Sequence, residues 1–531
     1  MFNHLSEVQK FSDVLCKDDD IPKDLEQITD EIISLGPEGS VLERKRRFEE
    51  AMEMSKRMRP SSDKITPTLH PNVREVLEAA GEKGHHVALF ETLLHKYGYD
   101  QTVEIINNVI KGFPLVGEIP IEKSAKDKII CEFLFSKEEV HDSAEEIRKQ
   151  NLNLQNKEKE NVDNVDVLKD IFNQTMEEVS SKRISKPRSS PKFPKVPTTR
   201  RFGVKQISSK GRLKVRCIDD FLRSKINGLC RIKKSIRMGR ISDLVQVARK
   251  LQEAFPDEEL VIFKTDFKSA YRCCAIEPEH EQFAEFMFVN ILTEEIEYAV
   301  HRAMPFGSIA AVYGWDRLAH AITFLIRKVL LVPAIRYVDD LFGVMFKRNL
   351  DEFRKMLLEF VTELGYTLDP EKTPKPASKQ TILGITIEVK ESEVRGSRRV
   401  HLKASVEKAK AEFWAEQINE VLSQGTITQK FAEKLAGRLN FAASSIAGQS
   451  GSARISELYK RAFFKCSSEK IDHRLVADLK WWHSFLTTGK STKWRVLGPE
   501  PETAILYTDA QGKGGIGAVL QFKNVQFIFQ R

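Results

Sequence analysis

Cysteine and long uninterrupted apolar runs are both scarce in this sequence. The chain has seven cysteines in 531 residues; only Cys273 and Cys274 lie close together, and no CxxC pair occurs. This usage argues against a disulfide-stapled secreted scaffold and favours a reducing compartment, in the nucleus or the cytoplasm. The longest apolar region, around residues 310–333, is interrupted by charged side chains such as Asp316 and Arg327, so we expect no membrane span. The N-terminus lacks the basic and apolar segments of a secretory signal.

Charge is plentiful but unevenly distributed. The 531 residues predict two to four domains, and 41% hydrophobic with 30% charged residues is ordinary for a globular protein. The net charge is +8, yet Lys182–Arg240 alone contains 20 Lys and Arg against two acidic residues. Such a basic island predicts a polyanionic partner, with phosphate as its charged group. For the Pro- and Ser-rich part, 186–201, a flexible linker is an equally good interpretation, and a nuclear-import signal is a third.

The pattern of apolar residues divides the chain into five predicted regions. The predicted fold class is α+β, with short apolar runs alternating with longer helical patterns after residue 203 and amphipathic helices over 404–486. The predicted boundaries are a helical N-terminal region of unknown role at 1–175, a basic Pro/Ser-rich linker at 176–202, a mixed domain at 203–390, a helical segment at 391–498 and a strand-rich end at 499–531.

Three aspartates carry the first chemical signal. LVIFKTD is a β-rich run that ends in Asp266, and AIRYVDDLFGVMF predicts a hairpin with Asp339 and Asp340 at or beside its turn. Adjacent carboxylates repel each other unless a cation or protons intervene. If the Asp266 strand lies beside the hairpin, the cluster suits two divalent ions about 3.5–4 Å apart, as in phosphoryl transfer. A plain polar turn is the alternative interpretation of the pair.

The order of the sequence motifs around these aspartates resembles that of reverse transcriptases. Six segments carry the resemblance over roughly 205–390: KVRCIDDF at 214–221, DFKSAY from Asp266, MPFG at 304–307, YVDD at 337–340, GYTLDPEKT at 365–373 and ILGITIE at 382–388. The resemblance implies a right-hand polymerase with fingers and palm at 203–390 and a thumb or connection at 391–498. It also implies RNA-directed DNA synthesis on an RNA or DNA template with a primer, from deoxynucleoside triphosphates.

The resemblance assigns the metal chemistry to the three aspartates. Asp266 and Asp339 correspond to the main metal ligands of the family, and Asp340 to a secondary ligand or to a residue that tunes the charge of the site. The implied cofactor is a pair of Mg²⁺ ions, with Mn²⁺ as the alternative metal.

The resemblance also implies contacts to the incoming nucleotide. Lys214 and Arg216, two apart on a predicted strand, share a face and suit the β- and γ-phosphates. Tyr271 corresponds to the residue that presses on the sugar 2′ position and excludes a ribose hydroxyl. Phe306 stands where retroviral members carry glutamine, and Gly307 has no side chain to obstruct a close approach.

Three further positions have weaker counterparts in the family. Lys372 corresponds to the lysine that neutralises or protonates the departing pyrophosphate, although an exposed lysine without that role explains it nearly as well. Leu383 and Gly384 match the primer grip, and a plain strand and turn explains them equally well.

The C-terminal segment resembles the opening of a ribonuclease H domain. AILYTDAQGKGGIGAVL, at 504–520, reads as two strands around a Gly-rich turn, with Asp509 as the first carboxylate of that family's site. The family's further acidic ligands have no counterpart before Arg531, so we expect no complete ribonuclease H site in this chain. RLVADLKWWHSFL, at 474–486, resembles the thumb or connection of retrotransposon polymerases of the tyrosine-recombinase type.

Two rival functions remain compatible with the residues. An RNA-dependent RNA polymerase would share the palm chemistry, and Tyr271 discriminates against it as a sugar gate. A non-catalytic nucleic-acid-binding scaffold, decayed or domesticated, would keep the fold without the reaction, although all three aspartates are present. The oligomeric state is not indicated by the sequence.

Overall fold

The fold is described from a computed structural model of the chain. It covers ten stretches: residues 21–122, 126–207, 213–394, 396–443, 450–464, 468–489, 492–497, 504–511, 515–522 and 525–530.

Helices and strands both contribute substantially, which confirms the α+β prediction. The helices are α1 Lys23–Ile65, α2 Pro71–Glu78, α3 Val87–Tyr97, α4 Thr102–Lys111, α5 Lys137–Asp142, α6 Ala144–Glu160, α7 Val165–Ser180, α8 Ile241–Ala254, α9 Ile309–Leu330, α10 Leu350–Glu363, α11 Lys408–Gln424, α12 Gln429–Ala443, α13 Ser450–Ala453, α14 Ser456–Phe463 and α15 His473–Thr487. The strands are β1 Gly117–Glu118, β2 Lys126–Cys131, β3 Thr199–Ile207, β4 Leu213–Asp219, β5 Cys230–Ser235, β6 Leu260–Asp266, β7 Glu285–Asn290, β8 Glu295–Val300, β9 Ile335–Tyr337, β10 Asp340–Phe346, β11 Lys379–Ile382, β12 Ile385–Val394, β13 Ser397–Val406, β14 Thr492–Leu497, β15 Ala504–Gln511, β16 Gly515–Phe522 and β17 Val525–Gln530.

Two compact units share these elements. In the described stretches, the larger unit takes in Gln27–Arg240 and Glu258–Leu383, and the smaller takes in residues 21–26, Ile241–Asp257 and the residues from Gly384 onward. None of the helices in the described stretches combines the length and apolar character needed to cross a bilayer.

A three-stranded sheet, in the order β6-β10-β9, belongs to the larger unit. Strand β10 is buried from Leu341 onward, and β6 is buried over Leu260–Phe263, so both read as apolar runs in the sequence. Helix α9 is buried on almost every side, and Phe353 and Phe360 of α10 belong to the same core as that helix. The polar ends of β6 and β10 therefore stand at the rim of a tightly packed core.

A second sheet, in the order β4-β3-β7-β8, carries part of the basic island, on β3 and β4. Val167 and Ile171 of α7 pack against it beside Val215 of β4. The Pro- and Ser-rich segment lies along β8, where Arg188 and Tyr298 exchange two backbone hydrogen bonds of 2.8 Å. A solvated, flexible linker would not make this paired bridge, so the predicted 176–202 linker is held against the sheet at Arg188.

From Gln27 onward, the N-terminal helices are part of the larger unit rather than a separate body. The guanidinium of Arg44 on α1 is buried and donates to the carbonyls of Leu330 (2.6 Å) and Leu331 (3.2 Å), at the end of α9. Arg47 donates to the carbonyl of Lys328 at 2.9 Å. The last carbonyls of a helix have no partner within it, so these arginines cap α9 from outside.

We expect Arg44→Met to lower the free energy of unfolding of the larger unit by about 2 kcal/mol, because charge-assisted hydrogen bonds to buried carbonyls are lost. Chemical denaturation followed by tryptophan fluorescence measures this. Arg46→Met, on the exposed face of the same helix, is the matched control and should leave the midpoint unchanged. Equal midpoints for the two variants would show that the cap contributes nothing.

The smaller unit contains a long hairpin and a helical core. Strand β13 pairs antiparallel with both β12 and β14. Helices α11, α12, α14 and α15 surround a cluster that includes Trp414, Leu435, Leu439 and Trp482, in agreement with the amphipathic pattern of 404–486. At the C-terminal end, β15, β16 and β17 form an antiparallel sheet, so a third strand joins the two that the sequence predicts.

Candidate active site

The three predicted aspartates are brought together by strand pairing. Strands β9 and β10 form a two-residue hairpin in which Tyr337 pairs with Asp340, so Asp339 lies in the turn. Strand β10 also pairs antiparallel with β6, and Asp340 stands directly opposite Asp266. The backbone N–H of Phe267 donates to the carbonyl of Asp339 at 2.9 Å, which ties the end of β6 to the turn. The predicted convergence of the carboxylate-bearing positions is therefore observed.

The turn has a strained backbone, and hydrogen bonds to its Val338 carbonyl stabilise it. Val338 has φ 53°, a left-handed conformation that a β-branched residue rarely adopts. Its carbonyl accepts hydrogen bonds from Trp315 Nε1 at 3.0 Å and from Arg336 Nη1 at 3.2 Å. Arg336 is in turn paired with Asp316, and both side chains are almost fully buried. These contacts stabilise the strained conformation of the turn and thereby fix the position of Asp339.

Burial, reinforced by like charge, sets the electrostatics of the cluster. Burial and the neighbouring Asp266 raise the pKa of Asp339. Burial, followed by Asp339 and Asp266, raises the pKa of Asp340 to about 6. Both shifts mean that the fold disfavours the ionised forms, so the cluster favours the approach of a cation.

The carboxylate of Asp266 already has a cationic neighbour. Lys372 Nζ lies 3.0 Å from Asp266 Oδ2. Burial by itself would lower the pKa of Lys372, but the hydrogen bond to Asp266 and the charge of that residue outweigh it, so the pKa is raised. In the part of the chain that the structure describes, no three His, Cys, Asp or Glu side chains are grouped closely enough to hold a metal ion as they stand. The donor chemistry nevertheless fits, since carboxylate oxygens are the ligands that Mg²⁺ prefers.

A cleft of about 290 Å³ opens beside the cluster. Asp266, Asp340 and Lys372 line it, together with Lys264 and Leu383. Leu383 has φ 51°, in the left-handed region. The structure therefore places one of the two predicted primer-grip positions at the carboxylates.

Gly384, the other predicted primer-grip residue, is the first residue of the C-terminal part of the smaller unit. It has φ 73°, and a Cβ at this position would overlap Lys410 Nζ. Its carbonyl accepts a 3.0 Å hydrogen bond from the N–H of Glu407.

Arg216, Phe306 and Tyr271 form one continuous contact next to the aspartates. The Arg216 guanidinium lies over the Phe306 ring, 5.6 Å from its centroid, and the rings of Phe306 and Tyr271 are 5.1 Å apart. Burial raises the pKa of Tyr271, and Asp339 raises it further. Lys214 is exposed, two residues before Arg216 on β4. A cation, two aromatic faces and the carboxylate cluster thus adjoin one another.

Residues 194–387 match the family model for reverse transcriptase (RNA-dependent DNA polymerase). The chain contains a reverse transcriptase domain. It is therefore a nucleotidyltransferase of the RNA-directed DNA polymerase type, and domains of this family use divalent metal ions. No curated protein matches the sequence. A matching solved structure is described as the foamy viral protease-reverse transcriptase dRH in complex with ds DNA; it is 14% identical, with a TM-score of 0.44, over 83% of this chain and 67% of that chain.

Gly307 of the reverse transcriptase domain is required by the backbone. It has φ 106°, and a Cβ at this position would overlap the carbonyl oxygen of Asp219. The side chain of Asn227 fastens the same loop, since its Nδ2 donates to the Gly307 carbonyl and its Oδ1 accepts from the N–H of Ile309, both at 3.0 Å. Only glycine combines this conformation with this close approach.

We expect Gly307→Ala to destabilise the reverse transcriptase domain by about 3 kcal/mol, since both strain and overlap are introduced. Thermal unfolding measures the change. Gly39→Ala, within α1, is the control, because its Cβ meets only Leu35 Cβ at 3.6 Å and alanine favours the helix. A melting temperature for Gly307→Ala at or above that of wild type would contradict this reading of the loop.

The sequence patterns do not reveal the residues that stabilise the YVDD turn and the 304–307 loop. Trp315, Asp316 and Arg336 hold the YVDD turn, and Asn227 holds the 304–307 loop, yet none of them lies in a motif with chemistry of its own. Asp316 is the one with a signal, since a charge inside the apolar run 310–333 demands a buried partner.

Asp509 lies in the smaller unit, on β15. It pairs with Gly517 of β16 and is exposed. This placement agrees with a strand that carries a carboxylate, and its relation to ribonuclease H stays a prediction.

Proposed function

We propose that this reverse transcriptase domain extends a primer 3′ end by a two-metal mechanism centred on Asp266 and Asp339, with Asp340 as a secondary ligand. The observation that carries the proposal is the register that sets Asp340 opposite Asp266 and puts Asp339 in the adjoining turn. Two Mg²⁺ ions held there would promote attack by the primer hydroxyl and neutralise the leaving pyrophosphate.

The chain's own residues prepare this site before any metal binds. The hydrogen bonds from Trp315 and Arg336 to the Val338 carbonyl hold the turn, so the Asp339 carboxylate needs little reorganisation. Lys372 pairs with Asp266, and its side chain is exposed enough that it would be able to turn toward a phosphate of a bound nucleotide.

The nucleotide contacts are proposed from the continuous wall beside the aspartates. Arg216 and Lys214, on one face of β4, would bind the β- and γ-phosphates. Phe306 and Tyr271 would pack against the nucleoside, with the Tyr271 ring closing the space at the sugar 2′ position. Gly307 has no side chain, so the backbone there would be able to lie close to the nucleotide. Leu383 and Gly384 would position the primer.

A template–primer duplex is the proposed partner. Lys214, Arg216 and Arg223 are exposed cations on or next to β4, and such side chains bind phosphates with strong salt dependence. We also propose the subdivision into fingers and palm at 203–390, thumb or connection at 391–498 and a ribonuclease H-like beginning at 499–531. A retrotransposon origin and an intracellular location, nuclear or cytoplasmic, belong to the same proposal.

Primer extension on an annealed RNA template tests the function. The full chain, supplied with Mg²⁺ and deoxynucleotides, should lengthen the labelled primer to the end of the template. A folded protein that binds the duplex but never extends it would replace the proposal with the scaffold alternative. Equal use of ribonucleotides would favour the RNA polymerase alternative.

A further inference from the structure

A buried ionic cluster lies behind the proposed nucleotide contacts. Asp219, the last residue of β4, is paired with Arg201 of β3 through two hydrogen bonds, of 2.9 and 3.0 Å. His301 Nε2 lies 3.1 Å from the same carboxylate. Glu178 of α7 accepts from Arg201 at 3.3 Å and lies 2.9 Å from Arg272 Nε. Arg201, Asp219, Arg272 and His301 are each at most 3% exposed.

The cluster is balanced in charge when His301 is neutral. Arg272 Nη1 is 3.2 Å from His301 Nδ1 and can only donate, so Nδ1 accepts and Nε2 carries the proton that is donated to Asp219. Burial lowers the pKa of His301 to about 4, even though Asp219 acts in the opposite direction. Two arginines then face two carboxylates. Every charge has a partner, which is the condition for keeping charges inside a protein.

The same cluster connects the three segments that carry the nucleotide contacts. Asp219 ends the strand of Lys214 and Arg216, and its backbone N–H donates to the Phe306 carbonyl at 3.1 Å. Arg272 follows Tyr271 directly and donates to the carbonyls of Ala303 (2.7 Å) and Met304 (3.1 Å). One set of buried charges therefore fixes the positions of strand β4, the Tyr271 turn and the 303–307 loop relative to one another.

Stability alone is a weak reason for such a cluster. Replacing a buried ion pair with apolar residues of similar volume is often neutral or stabilising, because desolvation offsets much of the attraction. Apolar contacts would not fix the relative orientation of the two strands. The bidentate Arg201–Asp219 pair fixes both the distance and the angle between β3 and the end of β4.

We propose that the Arg201–Asp219 pair, with Arg272, is a positioning device that sets the affinity of the reverse transcriptase domain for the incoming deoxynucleotide. The inference rests on the proposed function. These side chains are buried, and they would act through the segments that carry Arg216, Tyr271 and Phe306. Loosening the pair should therefore raise the KM for nucleotide and leave the turnover of bound substrate nearly intact.

The test compares Asp219→Asn with Asp220→Asn in the full chain. These neighbours undergo the same change, but Asp220 is half-buried, lies 3.7 Å from Arg223 and stands outside the cluster. We expect Asp219→Asn to raise the KM for deoxynucleotide about 10- to 100-fold, with kcat within a factor of about three, because weaker contacts to the bound nucleotide reduce uniform binding, which raises KM and leaves kcat unchanged. Asp220→Asn should match wild type.

The outcomes separate this inference from the proposed function. If wild type and Asp220→Asn do not extend a primer, the proposed function fails. If they do, and Asp219→Asn shows an unchanged KM, or a fall in kcat alone, the positioning role is overturned. Where Asp219→Asn does not fold, Arg201→Lys decides, because it keeps the charge and loses the bidentate geometry. A folded Arg201→Lys chain with wild-type KM would also overturn the inference.

Discussion

Asp339→Asn should reduce primer extension at least on the order of 10³-fold, which is the largest effect that we expect from any single change. A carboxamide is a neutral, poor ligand for a hard cation, and losing a metal contact removes several kcal/mol of transition-state stabilisation. The turn itself should persist, because its hydrogen bonds run from Trp315 and Arg336 to the backbone of Val338. Single-turnover extension of a labelled primer on RNA, with Mg²⁺ and deoxynucleotides, measures the effect.

Asp351→Asn is the matched control for this prediction. It is the same chemical change on an exposed aspartate of α10, whose side chain is 78% accessible. Duplex affinity, measured by fluorescence anisotropy, should be similar for wild type and both variants. Wild-type extension by Asp339→Asn would remove this aspartate from the mechanism.

Tyr271→Val should admit ribonucleotides, with the preference for deoxynucleotides falling about 10²-fold. The Tyr271 ring packs against Phe306 with centroids 5.1 Å apart, beside the Asp339 turn, and valine leaves most of that volume empty. Rejection of a substrate by shape in an apolar pocket accounts for discrimination of this size. The measurement is the ratio of kcat/KM for a deoxynucleotide and the matching ribonucleotide, on one template.

Tyr271→Phe keeps the ring and removes only the hydroxyl, so its discrimination should equal that of wild type. A loss in Tyr271→Phe as large as that in Tyr271→Val would assign the selectivity to the hydroxyl rather than to the ring. If Tyr271→Val still rejects ribonucleotides, another group performs the selection. A wild-type chain without any preference would support the RNA polymerase alternative instead.

The local elements were predictable where a pattern specifies them directly. Alternating and continuous apolar runs predict β6, β9 and β10, and the Asp-Asp pair between two such runs predicts the hairpin turn. Helices α9 and α10 follow from apolar residues at helical spacing, as in Phe353 and Phe360. In each case a period of two or 3.6 residues reports which side of an element is buried.

Contacts between distant segments were not predictable from such patterns. Arg44 capping α9 joins residues that are 286 positions apart, and a surface arginine has the same local sequence signature as this buried one. The Pro- and Ser-rich segment has the composition of a linker, but the backbone of Arg188 within it pairs with Tyr298 of β8. Composition reports solvation in the unfolded chain and does not register a hydrogen-bond partner that folding supplies.

The sequence by itself determined the fold class and the reverse transcriptase resemblance, and it singled out the three aspartates as candidate metal ligands, because these depend on residue types within short motifs. Only the tertiary structure decided the rest. It set Asp340 opposite Asp266, placed Trp315 behind the turn and gathered Asp219, Arg201, Glu178 and Arg272 into one buried cluster. Those arrangements depend on strand register and on the burial of charges far apart in the chain, and a charge is tolerated inside the protein only where folding brings it a partner.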